Sequence, residues 1–309
     1  MTIGVVVLNY KDYCSTIRCV ESLLCCSPRP ARIVIVDNDS RNESFTQLTR
    51  RFINEPIIQI IKSGKNGGYA FGNNVGIRWL RKAGVQHVTI ATSDTVVVSR
   101  NLFAQLSTVI TENVGLVGPR VILSNGREQI PSVERLTVKY IVDLLWIQHG
   151  MPGLWFRRKA AKAYRKYFRN VVNTTNEYQE WDCQNSKLVV QDVYGLHGSF
   201  VCLCNAYLNI VGVLDERIFL FGEEDLLAWA CERHHLRCLL VISAQVRHEN
   251  DASIQAEWGS KAQVFIDHQQ RLSGQLLRDE IPVTSLIRTW RRKRRNKMEP
   301  ILKTTIKTK

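Results

Sequence analysis

The sequence predicts an α/β protein with a mostly parallel, doubly wound central sheet flanked by helices, followed by a helical, basic C-terminal extension. Three observations predict it. Four apolar runs of strand length alternate with three helical patterns in the first 95 residues, which is the signature of successive βαβ units. The runs end in polar clusters, where such sheets bind ligands beyond the carboxyl ends of their strands. No run approaches the ~18 apolar residues of a membrane-spanning helix. The best candidate, 138–147, is short and carries Lys139 and Asp143.

Each element has its own signal. IGVVVLNY (3–10) is continuously apolar, as a parallel strand buried on both faces must be. Ile17, Val20, Leu23 and Leu24 then fall at helical spacing within 12–26, and Pro28 and Pro30 stop that helix. ARIVIVDNDS (31–40) is a second buried strand, with a helical stretch following to about Phe52. PIIQIIKS (56–63) is a third strand that runs into a glycine-rich turn, GKNGGYAFGNNVG. Residues 74–82 read as a helix with Gly84 as its C-cap, and HVTIATSD (87–94) is a fourth strand. A helix near 99–110 and a strand, GLVGPRVIL (115–123), come next; 135–180 is helical or loop-like, basic and aromatic. VYGLHGSFVCLCNAYLNIVG (193–212) reads as a strand and a short helix. RIFLFGEEDLLAWACERHHL (217–236) reads as an apolar strand entering a helix through an acidic cluster. RCLLVISAQVRHEND (237–251) is the last strand, and 254–278 has a helical pattern.

The net charge of +14 is concentrated. Residues 157–169 hold seven Lys/Arg and no acid, and 288–309 hold ten Lys/Arg and one Glu, which leaves the rest of the chain at −2. Both segments have aromatic neighbours, in GLWFRRKAAKAYRKYF and TWRRKRRNK. That combination suits anionic lipid headgroups; a solvated charged helix and tail is the plain alternative. No base-stacking or base-reading motif accompanies the basic patches, so no nucleic-acid partner is expected. The nine cysteines are odd in number, lack CxxC spacing and mostly sit in apolar surroundings, as in CVESLLCC and FVCLC. They read as reduced core thiols of a cytosolic protein. The start of the chain, TIGVVVLNY, has no basic region and no small-residue cleavage site and is expected to be a strand, not a signal peptide.

The polar strand ends are Asn9-Tyr10, Asp37-Asn38-Asp39-Ser40, Lys65-Asn66-Gly67-Gly68 and Ser93-Asp94. Four such clusters converging on one edge are a stronger signal than any one alone. Each residue also has a structural alternative. Asp37 to Ser40 could form an Asx-rich turn, with Asp39 or Ser40 capping the next helix. Asp94 could cap a helix. Glu223, Glu224 and Asp225 could compensate a helix dipole. His248 could be a hydrogen-bonded strand-end residue, a reading that suits His197, His234 and His235 better.

Taken in order, VVVLNY, IVIVDNDS, NGGYAFGNN, the strand ending in Asp94, GVLDERIFLFGEEDLLAW and VRHENDAS resemble the inverting family 2 glycosyltransferases. The closest likeness is to bacterial rhamnosyltransferase-like enzymes of surface polysaccharide synthesis, and it covers about residues 3–253. The resemblance implies a GT-A fold. Residues 1–253 would be the catalytic domain, with 1–95 binding the nucleotide sugar and 96–253 the acceptor; 254–309 would be the extension. It implies that Asn9, Asp37, Asn38, Asn66, Gly67, Gly68, Asn73, Ser93 and Asp94 bind the donor. Asp37 would accept from a pyrimidine imide N–H, which few side chains other than a carboxylate do well. Asp94 matches the last position of a D-x-D-type metal motif, and His248 matches a further ligand. The implied cofactor is Mg2+ or Mn2+, which offsets the charge of a departing diphosphate. The position two before Asp94 is Thr92, a neutral and poorer ligand, which argues against a strong pre-formed metal site.

By the same match, Glu224 is the general base, with Glu223 as its neighbour and Asp225 the competing choice if the register slips by one. His197, Gly198 and Asp215 would line the acceptor side, with a salt bridge to Arg217 the alternative for Asp215. The implied partners are a dTDP- or UDP-linked sugar donor, a glycan or lipid-linked acceptor, and an anionic membrane contacted from the cytoplasmic side of a bacterial inner membrane. A nucleotidyltransferase would carry a glycine-rich loop after its first strand, and VVVLNYKDYCS has no glycine. A non-catalytic sugar-nucleotide binder is the other alternative, kept open by Thr92.

Overall fold

The apolar N-terminal run becomes β1 (Ile3–Asn9), which pairs in parallel with β2 (Arg32–Asp37) on one side and β4 (His87–Thr92) on the other. The computed structural model describes residues 1–129, 179–183, 186–249 and eight helical positions between 265 and 280. Strand β3 (Ile58–Lys62) extends the parallel part beyond β2. Past β4 the sheet becomes mixed. Strand β10 (Phe200–Leu203) runs antiparallel between β4 and β6 (Val114–Leu123), and β11 (Arg237–His248) lies parallel to β6. The full order is β3-β2-β1-β4-β10-β6-β11-β9-β8. Here β8 (Gln179–Cys183) and β9 (Ser186–Val193) form an antiparallel hairpin at the edge. Two short strands lie off this path: β5 (Thr95–Val97) on β11 and β7 (Glu128–Gln129) on β6.

Strand side chains alternate between faces, and β1 divides its valines accordingly. Val5 and Val7 face a core that includes Cys19, Val20 and Leu23 of α1 (Tyr13–Leu24), Leu48 and Phe52 of α2 (Ser44–Phe52), and Leu102 and Leu106 of α4 (Leu102–Val109). Val6 faces a second core with Ile77 and Leu80 of α3 (Gly68–Lys82), Tyr207 of α5 (Asn205–Ile210) and Leu227 of α6 (Glu223–Arg233). Two cores on two faces are what a doubly wound sheet requires. Asp12 starts α1 by accepting from the Ser15 N–H at 3.0 Å, a cap of the kind that stabilises by about 1 kcal/mol.

Two expectations change. Helix α3 begins at Gly68, not at residue 74, so most of the glycine-rich segment is helix. Its glycines let the helix lie close on the sheet: a Cβ at Gly72 would stand 2.4 Å from Leu8 Cδ1, and one at Gly76 would stand 2.5 Å from Val6 Cγ1. The apolar run RIFLF is a loop and not a strand. Phe221 (φ 65°) and Gly222 (φ 103°) are left-handed and turn the chain into α6, while the Phe219 carbonyl accepts from the Tyr69 N–H at 2.8 Å. The described positions of 265–280 are helical, as expected, and they touch the first 253 residues directly. Phe265 stacks edge-on against Phe219 with centroids 6.2 Å apart, and Glu280 pairs with Arg217 at 2.9 Å and Arg233 at 3.8 Å.

The described cysteines are free, and six of them are buried. No described helix is long and apolar enough to cross a membrane. The basic segments 157–169 and 288–309 lie outside the described residues.

The close approach of α3 makes a prediction. Alanine at position 76 raises helix propensity, which alone would stabilise by ~1 kcal/mol. Its methyl has no room against Val6, so Gly76→Ala is expected to destabilise by about 1–3 kcal/mol. Denaturant unfolding measures this, and a neutral or stabilised variant would refute the packing account.

Candidate active site

Register alone brings the polar strand ends together. Asn9 pairs with Asp37, Leu8 with Thr92, Ala91 with Phe200, and His248 with Thr95. The carboxyl ends of β1, β2, β4 and β11 therefore meet the amino end of β10 at one edge.

On the donor side, Asn9, Asp37 and Asn38 are buried. Asn9 Nδ2 donates to Asp37 Oδ1 at 2.8 Å, and the Ser40 N–H donates to Asp37 Oδ2 at 3.3 Å. Asn9 Oδ1 accepts from Thr16 Oγ1 at 2.8 Å. A buried carboxylate must have its lone pairs satisfied, and Asp37 meets that need inside the protein. These bonds order the 37–40 turn and use one acceptor position on each Asp37 oxygen. Neither Asp39 nor Ser40 caps α2, which begins at Ser44. Ser40 Oγ instead accepts from the Lys11 N–H at 2.8 Å, and Asp39 (φ 61°) stands half-exposed at the turn. Asn38 Nδ2 donates to Asn66 Oδ1 at 2.9 Å and to the Gly68 carbonyl at 3.3 Å, which ties the second strand end to the 66–68 loop. Gly68 (φ 87°) has to be glycine, since a Cβ there would lie 2.2 Å from the Phe219 carbonyl oxygen. Asn73 is not brought to the cleft. It is fully buried and donates back to the Tyr69 carbonyl of its own helix at 3.0 Å.

Asp94 and His248 do converge, with Asp94 Oδ2 3.2 Å from His248 Nε2 and both side chains mostly buried. Burial pushes the Asp94 carboxyl up, but the hydrogen bonds from His248 and Thr92 and the His248 charge hold it below its ordinary range. Thr92 Oγ1 lies 2.9 Å from Thr95 Oγ1, so its hydroxyl serves this turn. Ser93 is half-exposed between them. A carboxylate oxygen and an imidazole nitrogen are a suitable start for a Mn2+ or Mg2+ shell. Among the described residues no group of three His, Cys, Asp or Glu could hold an ion. A cation held by this pair would have to draw its remaining ligands from outside these side chains.

His197 lies against His248, with ring centroids 5.7 Å apart. Its Nδ1 accepts from the Ser199 N–H at 3.1 Å, with Ser199 Oγ at 2.8 Å. A neutral ring so held carries its proton on Nε2 and is a donor there, not a metal ligand. The next residue, Gly198, donates its N–H to Glu224 Oε1 at 3.2 Å. Its carbonyl accepts from the Tyr69 hydroxyl at 2.6 Å.

The three acids of the first turn of α6 are not equivalent. Glu223 Oε2 is buried with no hydrogen-bond partner among the described residues. Burial first, then the charges of Glu224 and Asp225, push its carboxyl up to about 8. Glu224 is the acid held by a backbone N–H, that of Gly198. Asp225 completes the turn, where acids are favoured by the helix dipole. Asp215 makes the salt bridge that was its alternative. It accepts from the Arg217 N–H at 3.0 Å and from Nε of the same residue at 2.9 Å, and the Arg217 hydrogen bond holds its carboxyl low.

Two residues of this site carried no assigned role in the sequence reading. Tyr69 is one. Asn74 is the other: its side-chain amide exchanges two hydrogen bonds with the backbone of Leu214, at 2.9 and 2.8 Å, and so pins the loop ahead of α6. The doublet in FGNN was the available signal, but nothing local distinguishes a donor contact from a loop clamp 140 residues away.

Residues 3–171 match the family described as Glycosyl transferase family 2. The low-salt glycan biosynthesis hexosyltransferase Agl10 of Haloferax volcanii is 22% identical over 274 residues, covering 87% of this chain and 74% of the relative. The fold is similar to that of GalNAc-T7, solved with UDP, GalNAc and Mn2+ (TM-score 0.56, 13% identity, 82% of this chain, 44% of that one). It is also similar to S. aureus TarS 1-349 (TM-score 0.52, 14%, covering 81% and 60%). A third similar fold is that of PcManGT from Pyrobaculum calidifontis in complex with GDP-Man and Mn2+ (TM-score 0.52, 13%, 88% and 68%). The chain thus spans 44% of the first of these structures and 60% of the second.

The raised Glu223 carboxyl has a pH consequence. Its folded value, about 8, lies above the ordinary 4.5. The folded state therefore holds a proton that the unfolded chain releases, and stability from this group is present below about 4.5 and lost as pH rises to about 8. Glu223→Gln is expected to match the wild type in melting temperature near pH 4 and to exceed it by several degrees above pH 8. Equal melting curves at both ends would contradict the burial account.

Proposed function

The chain belongs to glycosyl transferase family 2, and we propose that it moves rhamnose or a hexose from a dTDP- or UDP-linked donor to a hydroxyl of a lipid-linked glycan, with inversion. Several groups support the reading. The 66–68 loop offers backbone to the nucleotide, ordered by Asn38. Asp37 shapes the base pocket through the 37–40 turn. Asp94 and His248 would hold Mg2+ or Mn2+, which neutralises diphosphate charge as the sugar leaves. Glu224, held by the Gly198 N–H, takes the proton of the acceptor hydroxyl, as a positioned carboxylate can. His197 and Gly198 line the acceptor side, and Asp215 acts by ordering the loop through Arg217.

One observation carries the reading. The dipeptide His197-Gly198 touches both chemical groups, its imidazole against His248 and its N–H on Glu224. A metal-binding pair and a candidate base thus sit on either side of two adjacent residues. An inverting transfer needs two such groups in one site, one for the departing diphosphate and one for the attacking hydroxyl.

The test is a donor panel. Binding and slow hydrolysis of dTDP-rhamnose, UDP-hexoses and GDP-sugars would be measured with and without Mn2+. Glu224→Gln is expected to lower turnover by at least about 100-fold with UDP binding unchanged, and Asp94→Ala to abolish Mn2+-dependent donor binding. A silent panel, or full turnover by Glu224→Gln, would remove the proposal. The acceptor reading places the enzyme on the cytoplasmic face of an inner membrane, held by the basic-aromatic segments. Deleting 288–309 should then weaken binding to anionic vesicles several-fold; unchanged sedimentation with vesicles would refute that anchor.

A further inference from the structure

We propose that Tyr69 is a positioning residue for the general base and that it acts through Gly198. The inference rests on the reading of Glu224 as that base. The Tyr69 hydroxyl donates to the Gly198 carbonyl at 2.6 Å, and the Gly198 N–H holds Glu224 Oε1 at 3.2 Å. Glycine has no side chain to lock its backbone dihedrals, so the direction of this N–H depends on what grips the residue's other end. Position 198 also has to stay small, since a Cβ there would stand 3.1 Å from Glu224 Oε1. Tyr69 reaches the base by a second path. Its own N–H donates to the Phe219 carbonyl at 2.8 Å, in the loop that turns into α6 just before Glu224.

The hydroxyl is suited to this task. Tyr69 is 7% exposed, and burial pushes its hydroxyl well above the ordinary range, so it keeps its proton and remains a donor. Its place in the chain matters as well. It directly follows Gly67 and Gly68, the loop proposed to receive the nucleotide, so one residue joins donor loop, acceptor-side glycine and base. Ordering of that loop by a bound donor would thereby be transmitted to Glu224.

Tyr69→Phe removes only the hydroxyl and leaves the backbone contact to Phe219 in place. Turnover would be measured on the panel of UDP-, dTDP- and GDP-sugars, alongside UDP binding. The expected result is a loss of kcat of about 10- to 100-fold, as for a base slightly out of place, with donor KM and UDP affinity unchanged within about twofold. Gly198→Ala should reproduce the loss by displacing the carboxylate directly. In a double-mutant cycle, adding Tyr69→Phe to Glu224→Asp should cost little further, because the shortened acid no longer reaches the Gly198 N–H. Wild-type kcat in Tyr69→Phe, or losses that multiply across the cycle, would overturn the inference while leaving Glu224 as base. Full turnover by Glu224→Gln would instead remove the base reading itself.

Discussion

The site depends on one backbone hydrogen bond, from the Thr92 N–H to the Ser199 carbonyl at 2.9 Å. It carries the β4–β10 ladder past its last paired residues, Ala91 and Phe200, to the edge where the polar residues stand. Because β10 enters the sheet antiparallel, its beginning lies beside the end of β4. The residues just before β10, His197 to Ser199, are therefore held against the turn that carries Asp94. The same carbonyl also accepts from Thr95 Oγ1 at 3.3 Å. The Thr92 hydroxyl supports the same turn, 2.9 Å from Thr95 Oγ1 and hydrogen-bonded to Asp94.

A second constraint is how closely α3 lies on the sheet. Small residues at 72 and 76 allow the helix to seat against Leu8 and Val6, and this sets where Tyr69 and Asn74 project. From there both hold the second half of the chain, Asn74 at Leu214 and Tyr69 at Gly198 and Phe219. The loop before α6 is thus gripped from the donor side by α3. From the other side it meets Phe265 and Glu280 of the C-terminal extension. The left-handed pair Phe221-Gly222 sits in the middle of this grip, where surrounding contacts can sustain an unfavourable backbone conformation.

Electrostatics then divides labour among acids that look alike in the sequence. Glu223 is enclosed, and its carboxyl is pushed up. Glu224 is held by an N–H, Asp94 by a histidine, and Asp215 by an arginine. Like charges at short range in a poorly hydrated site repel one another, and these partners offset that repulsion.

Much of this was legible beforehand. Continuous apolar runs and helical spacing gave the strands and helices of the first half, and the order of motifs gave the family. Asp94, His248, Glu224 and Gly198 were assigned to one site, and the structure brings them together. Asp37, Asn73 and Asp215 were assigned to ligands, and in the structure each also has a partner inside the protein: Asn9, the Tyr69 carbonyl and Arg217. RIFLF has the composition of a strand but serves as a loop, because its carbonyl is needed by Tyr69. The sequence by itself determined the alternation of elements, since periodicity depends on residues a few positions apart. Only the tertiary structure decided which polar side chains remain open to a ligand. Those outcomes rest on partners such as Gly198 for Tyr69 and Leu214 for Asn74, 129 and 140 residues away, and no local pattern encodes a hydrogen bond formed across that distance.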